Sequence, residues 1–200
     1  KYETSVEVYY KTMKNLVEFK EGSQPENTIS DNTDNGFTYG TGESYGAEFF
    51  IGKKKGKWHG WIGYTLSWTN RTFPEINGGK TFPAKYDRRH DFELVFNYDL
   101  NERWSFSSVF VYATGNAATM PLSRYVVEGN LVVEYGVRNS YRMPAYHRAD
   151  VSATWYIKKA NEGKNKFEHN LNFSIYNVYN HYNPYFIYFA QEGNVYDGTL

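Results

Sequence analysis

The feature that most constrains this chain is a two-residue alternation of apolar and polar side chains in long stretches. In residues 91–98, for example, Phe92 and Leu94 alternate with Asp91 and Glu93. Because successive side chains of a strand point to opposite faces, this alternation predicts a strand with one apolar and one polar face. The same pattern predicts seven strands, at about residues 3–18, 43–53, 57–70, 87–99, 103–114, 146–159 and 166–178.

Most of the predicted strands are about ten residues long or longer. Strands of soluble domains are usually ~5–6 residues long, whereas a tilted strand needs ~9–11 residues to cross a bilayer. The chain has no run approaching ~20 consecutive apolar residues, so a membrane-spanning helix is not expected. Tyr, Phe and Trp make up 20% of the residues, a composition that suits strands. Strand length therefore favours membrane-spanning strands over a soluble sandwich or barrel that buries its apolar faces.

The connections between the predicted strands alternate between short polar turns and long segments. The turns lie at about 54–56, 100–102 and 160–165, and the long segments at about 19–42, 71–86 and 115–145. In an up-and-down sheet every second connection lies at the same end, so one end has turns and the other has loops. This asymmetry is typical of outer-membrane β-barrels. The predicted fold class is therefore all-β, with antiparallel up-and-down strands that form part of a transmembrane β-barrel.

The two faces of the predicted sheet suit two different solvents. The polar face would line a wet or plugged lumen, and the apolar face would meet outer-membrane lipid. Tyrosine and tryptophan side chains near strand ends are expected to form girdles at the two membrane interfaces. These girdle residues are Trp58, Trp68, Tyr98, Trp104, Tyr112 and Trp155.

Composition and motifs exclude several classes of function. The chain has 22 basic and 22 acidic residues, so it carries no net charge that would attract nucleic acid. The chain has no cysteine, and its five histidines have no spacing typical of a zinc site. Phosphate-binding, hydrolase and dinucleotide-binding motifs are missing. We therefore predict no catalytic site, no metal site and no cofactor.

The densest charged cluster is residues 86–91. Alternation would place Asp87, Arg89 and Asp91 on one side of a strand, and Arg88 and His90 on the other. This arrangement favours an ion-pair ladder between neighbouring strands at the loop end of the sheet. The alternative is that Arg88 or Arg89 contacts an anionic ligand, since the guanidinium fork suits carboxylate or phosphate.

Many aromatic rings lie in the predicted loops. Such rings stack on sugars, planar chelates or bases, and tyrosine adds a hydroxyl group for hydrogen bonding. They also pack long loops against one another, and both interpretations stay open. The rings are Phe37, Tyr39, Tyr125, Tyr135, Tyr141, Tyr146, Tyr182, Tyr185 and Tyr188.

Several runs together resemble the C-terminal part of the barrel of TonB-dependent outer-membrane receptors, in the version common in Bacteroidota. Each run is a weak motif alone, but they occur in the family's order and cover nearly the whole chain. The runs are 44–49, 60–67, 82–91, 112–116 with Met120-Pro121, 146–150 and 176–180.

The resemblance implies a 22-stranded barrel with an N-terminal plug, which imports a scarce nutrient with energy passed from the inner membrane. It implies a Gram-negative outer-membrane location and coupling to a TonB-type complex through an N-terminal part that is absent here. Residues 1–200 would be a C-terminal piece of the barrel wall with about seven strands. A surface lipoprotein is a further partner, and siderophore, haem, vitamin, glycan and peptide remain open as cargo.

The predicted function is therefore nutrient binding by extracellular loops at about 19–42, 71–86, 115–145 and 179–200, followed by import. Two alternatives remain, a passive outer-membrane porin and a soluble carbohydrate-binding β-domain. The residues predicted to contact ligand are Tyr39, Arg88, His90, Tyr125, Tyr141 and Arg142.

Overall fold

The computed structural model describes residues 1–21, 36–127, 130–158 and 167–184. Within these ranges the regular structure is β-strand, apart from one 3-10 turn at Asn77–Gly79. Among the described residues, no helix has the length and apolar character needed to cross a membrane. The strands are β1 (Tyr2–Phe19), β2 (Phe37–Lys53), β3 (Trp58–Thr72), β4 (Phe82–Pro83), β5 (His90–Asp99), β6 (Trp104–Ala113), β7 (Ala117–Ala118), β8 (Pro121–Val127), β9 (Asn130–Tyr135), β10 (Tyr141–Arg142), β11 (Tyr146–Lys158) and β12 (His169–Ile175).

Seven long strands form one antiparallel sheet in the order β1-β2-β3-β5-β6-β11-β12, and the short strand β4 pairs with the end of β3. Neighbours in the sheet follow one another along the chain once the short strands are set aside. The predicted all-β, antiparallel, up-and-down fold is therefore confirmed, and it corresponds to part of a β-barrel.

The register places most of the apolar residues of the seven strands on one face of the sheet, although Phe50, Trp61 and Val95 lie on the other. In one row across the sheet, Val6 pairs with Phe49, Phe49 with Tyr64 and Tyr64 with Phe92. Val8 is 80% exposed and Phe173 is 60% exposed, so no second layer of described residues covers this face. We call it the apolar face, and the opposite side, which carries Glu48 and Glu93, the polar face.

Aromatic residues mark both ends of the apolar face. At the turn end Trp58 pairs with Tyr98, and the rings of Trp104 and Trp155 stack with centroids 5.9 Å apart. At the loop end the ring of Trp68 stacks on Tyr45 at 5.3 Å. All six predicted girdle residues lie on the apolar face in the observed register.

The strand boundaries differ from the predicted ones mainly at the loop end. Strand β2 begins at Phe37 because residues 37–40 continue to pair with the end of β1. Strand β5 begins three residues later than predicted. The Arg89 carbonyl still accepts the Ser67 N–H of β3, but the Arg89 N–H donates to the Thr114 side chain and the Thr69 N–H donates to the Asp87 side chain, so the regular ladder starts only at His90. The segment 115–145, predicted as a loop, contains the hairpin β8–β9 and the short pair β7–β10.

Most of the buried side chains lie at the loop end of the sheet. Phe73, Ile76 and Phe82 are buried together, and Leu16 of β1 packs against them. A Cβ atom at Gly40 would stand 2.5 Å from the ring of Phe73. Because strand alternation places Gly40 on the polar face, the chain after β3 folds over the polar face at the loop end.

Candidate functional site

Two long connections, residues 73–89 and 114–145, pack against each other at the loop end of the sheet. The backbone N–H of Ala117 donates to the carbonyl of Lys85 at 3.1 Å. The side-chain amide of Asn139 donates to the carbonyl of Pro83 at 2.9 Å. These bonds join the two connections into one unit, which we call the loop cap.

An apolar cluster anchors the first half of the loop cap. Phe73 and Ile76 are fully buried, and the rings of Phe73 and Phe82 stack with centroids 6.2 Å apart. Burying a side chain of this size contributes about 2 kcal/mol to docking of the segment. The cluster therefore gives residues 73–82 an apolar core of their own.

A buried ion pair joins the two halves of the loop cap. The side chain of Asp87 is 1% exposed, and its carboxylate accepts hydrogen bonds from the Thr69 N–H at 2.6 Å and from the Arg142 guanidinium. Arg142 also donates to the backbone carbonyl of Asp87. A forked guanidinium that donates twice to one residue fixes position as well as charge.

The backbone around this ion pair is held at close range. The hydroxyl of Thr114 accepts the N–H groups of Arg89 at 2.8 Å and His90 at 3.0 Å. A Cβ atom at Gly115 would clash with the carbonyl oxygen of Met143. Glycine is therefore needed at position 115 for the chain before β7 to approach the chain after β10.

The remaining charges of the loop cap also link separate segments. The carboxylate of Glu18 lies 3.5 Å from the Arg71 guanidinium and 3.7 Å from that of Arg138. A hydrogen bond from Thr38, and Lys20 at 3.1 Å, lower the pKa of the Glu75 carboxyl. Its contribution to docking is present above the ordinary carboxyl pKa and is lost as pH falls through the lowered pKa.

The hairpin β8–β9 projects from the loop cap and presents exposed side chains. Leu122 is 70% exposed, and Tyr125 and Tyr135 are also exposed. The hydroxyl of Ser123 donates to the Glu134 carboxylate at 2.6 Å across the hairpin. The hairpin therefore offers aromatic rings and hydrogen-bonding groups to a ligand outside the sheet.

Three of the predicted ligand-contact residues present free rings at the loop end. The rings of Tyr39, Tyr125 and Tyr141 are exposed, with Tyr39 the most exposed at 65%. They come from β2, from the hairpin and from β10, and alternation along β2 places Tyr39 on the side of the sheet that continues the apolar face. Their hydroxyl groups and faces are therefore accessible for stacking or hydrogen bonding.

The other three predicted ligand-contact residues have protein partners. Arg88 lies 3.6 Å from the Asp91 carboxylate and donates to the Asn116 side chain at 3.3 Å. His90 lies on the apolar face, with its Nδ1 2.8 Å from the Tyr64 hydroxyl. Arg142 is held by Asp87. Of the two arginines, Arg88 has the more exposed side chain, at 48% against 34% for Arg142.

The charged cluster at 86–91 forms ion pairs, but not as the predicted ladder between neighbouring strands. The principal partner of Asp87 is Arg142, which lies 55 residues away in the next long connection. The ladder prediction was wrong because β5 starts only at His90, so residues 87–89 do not follow strand alternation. Sequence reasoning missed Asp87 as the anchor of the loop cap, and no local pattern connects it to Arg142.

Two of the segments predicted to contact ligand lie largely outside the residues that the structure describes. Most of the predicted loop 19–42 and residues 185–200, with Tyr185 and Tyr188, lie outside the described residues. In the part of the chain that is described, no group of three His, Asp or Glu side chains could hold a metal ion.

Comparison with protein families gives one match. The family model described as "TonB dependent receptor-like, beta-barrel" matches residues 1–180. A search of curated proteins and a search of solved structures gave no match. The match covers the seven-stranded sheet and the loop cap.

Proposed function

Since the chain belongs to the family of TonB-dependent receptor-like β-barrels, we propose that it binds a scarce nutrient at its loop cap and takes part in importing it. The family comprises outer-membrane receptors and transporters and is not a family of enzymes. The nutrient and the import step are our proposal. The observation that supports them best is the loop cap, which folds over the polar face and is held together by the ion pair between Asp87 and Arg142.

The exposed apolar face supports the proposal that the sheet lies in a lipid bilayer. Apolar side chains from seven strands stay exposed on it, and aromatic residues edge it at both ends. In water a continuous apolar surface of this kind would favour aggregation. Contact with acyl chains removes that cost, and the girdles match the two interfaces.

The strand count supports a larger barrel. Bacterial single-chain barrels have an even number of strands and at least ~8, so a sheet of seven cannot close alone. We propose that this chain is a C-terminal piece of the wall, and that a plug and further strands complete it. Energy from a TonB-type complex would then move the plug, as the family relationship suggests, and a surface lipoprotein is a further proposed partner.

We propose that the six predicted residues act in ligand binding in two ways. Tyr39, Tyr125 and Tyr141 would contact the ligand directly, because their rings are exposed. Arg88 would offer its exposed charge to an anionic group of the ligand. His90 and Arg142, which have protein partners, would hold the loop end in the shape that binds.

Growth on limiting nutrients tests the import proposal. Cells with and without the gene are grown on siderophore-bound iron, haem, a vitamin, glycans or peptides, one at a time. We expect the deletion to abolish growth on one of these nutrients, and a protonophore to block its uptake in the wild type. Uptake that persists without the proton gradient would indicate a passive porin and contradict the proposal.

Alanine variants of the complete receptor then test the ligand contacts on that nutrient. Tyr125→Ala and Tyr141→Ala are expected to weaken binding about fivefold each, the size of one lost aromatic contact. Tyr86→Ala is the matched control, because Tyr86 is an exposed tyrosine of the loop cap outside the predicted set. Equal affinity in all three variants would eliminate the proposed contacts.

A further inference from the structure

A groove in the apolar face lies beside the turn between β2 and β3. It has a volume of about 210 Å³, and an apolar cavity of ~150 Å³ already accepts a benzene molecule. Its lining side chains come from four strands and are almost all apolar. They include Tyr2, Ile51, Trp58, Ile62, Leu94 and Phe96.

The groove is built into the pairing of β3 with its neighbours. Gly60 pairs with Lys53 on one side and with Phe96 on the other, so a position without a side chain lies between two long ones. A Cβ atom at Gly60 would clash with the carbonyl oxygen of Val95. The close approach of the two backbones therefore excludes any side chain that would fill the gap.

Four lysines cluster at the turn end of this groove. Residues 53–57 read Lys-Lys-Lys-Gly-Lys. The Nζ atom of Lys53 lies 3.1 Å above the centroid of the Trp58 ring, at the edge of the groove. Lys55 and Lys57 are exposed beyond it. An apolar groove thus ends at a concentration of positive charge.

Nearby carboxylates leave this charge largely uncompensated. Within the described residues, Lys54 is the one lysine of the turn that forms an ion pair, with Glu3. Lys57 lies on the other side of the sheet, where it lines a pocket of the polar face together with Asp99, Glu102 and Glu168. The ammonium groups of Lys53 and Lys55 therefore remain for an anionic partner on the apolar face.

We propose that the groove and the lysine turn bind one anionic glycerophospholipid of the surrounding membrane. An acyl chain occupies the groove, and the headgroup phosphate contacts Lys53 and Lys55. The proposal rests on the proposed function, since the apolar face must lie in the bilayer. Tight turns lie on the periplasmic side of such barrels, so the lipid belongs to the inner leaflet of the outer membrane.

Charge complementarity selects an anionic lipid over a zwitterionic one. A lysine near an anionic membrane surface strengthens attraction about fivefold, and several act together. A zwitterionic headgroup offers the same phosphate but adds its own cation, which the lysines repel. A second copy of the chain on the apolar face would bring the same lysines together, which disfavours that occupant.

Native mass spectrometry of the complete receptor in detergent tests this site. Phosphatidylglycerol and phosphatidylethanolamine are titrated separately, and the bound lipid is counted. We expect one phosphatidylglycerol to be retained in preference to phosphatidylethanolamine. The variant Lys53→Gln/Lys55→Gln should weaken this binding about 25-fold, from about fivefold for each lysine. The control Lys80→Gln/Lys85→Gln removes the same charge from the loop cap and should leave binding unchanged.

A second variant tests the groove without changing charge. Ile62→Trp replaces an aliphatic side chain of the groove with a bulkier indole ring, and it should also weaken phosphatidylglycerol binding. The proposed lipid site would be contradicted if the receptor retained the two lipids equally, or if neither variant weakened phosphatidylglycerol binding. A receptor dimer found in place of bound lipid would also contradict it. Nutrient uptake by the wild-type receptor is measured separately, so failure of the proposed function is distinguished from failure of the lipid site.

Discussion

At the scale of single residues, Asp87 has the most constrained environment in the loop cap. Its carboxylate is removed from water and depends on the Thr69 N–H, on the guanidinium of Arg142 and, at 3.5 Å, on that of Arg89. A buried ion pair adds little net stability compared with an apolar pair, but removal of one partner leaves the other poorly compensated. The pair therefore holds the two halves of the loop cap in one arrangement.

The variant Asp87→Asn tests this role. We expect it to cost about 2 kcal/mol of loop-cap docking, below the full cost of a broken buried pair because Arg142 retains some exposure. Hydrogen exchange at residues 114–120 and 138–145 should accelerate about 30-fold. Glu102→Gln in an exposed turn is the control. Unchanged exchange in Asp87→Asn would show that the ion pair does not hold the cap.

At the scale of structural elements, the loop cap carries the apolar core that the sheet lacks. No second layer of described residues covers the apolar face of the long strands, so their packing comes mainly from neighbours within the sheet. Residues 73–82 instead bury Phe73 and Ile76 completely, although they are mostly irregular. A long connection of this kind keeps one conformation only when it buries its own side chains.

The variant Phe73→Ala tests this core. Truncation of a fully buried phenylalanine costs about 3–4 kcal/mol, because transfer free energy is lost and a cavity remains. We expect residues 73–82 to become sensitive to proteases while the β1–β6 sheet stays folded. Phe73→Leu should cost less, since most of the buried volume is kept. Equal sensitivity of both variants to proteases would argue against a packing role.

At the scale of the whole molecule, the proposed function requires the two faces of one sheet to meet two solvents, lipid and water. Leu94 and Val95 are consecutive residues of β5, and their side chains point to the apolar face and the polar face respectively. A charged side chain is therefore expected to destabilise the protein at Leu94, where it would face lipid, and to be tolerated at Val95. This contrast separates a membrane wall from a soluble sheet more directly than total stability does.

The variants Leu94→Arg and Val95→Arg form the matched test in the complete receptor. Arginine on the lipid side near the bilayer midplane costs about 2–4 kcal/mol, whereas arginine in a wet lumen costs much less. The free energy of unfolding in vesicles is measured by urea titration. A larger loss for Val95→Arg than for Leu94→Arg would contradict the assignment of the faces.

Much of the sheet could be predicted because its determinants are local. Period-two alternation in residues 91–98 identified β5 and its apolar face without any neighbour, and all six predicted girdle residues lie on that face. The alternation of turns and loops likewise indicated an up-and-down order. Residues 87–89 broke the pattern, because bonds to the side chains of Asp87 and Thr114 take the place of regular ladder bonds there.

By itself, the sequence determined the fold class, the strand order and which face is apolar, since each depends on spacing between near neighbours. Only the tertiary structure decided that Asp87 meets Arg142, that Leu16 packs against Phe73, and that Tyr2, Trp58 and Phe96 line one groove. Those contacts join residues that the chain separates widely, so they follow from how the strands pair and how the connections fold back over the sheet.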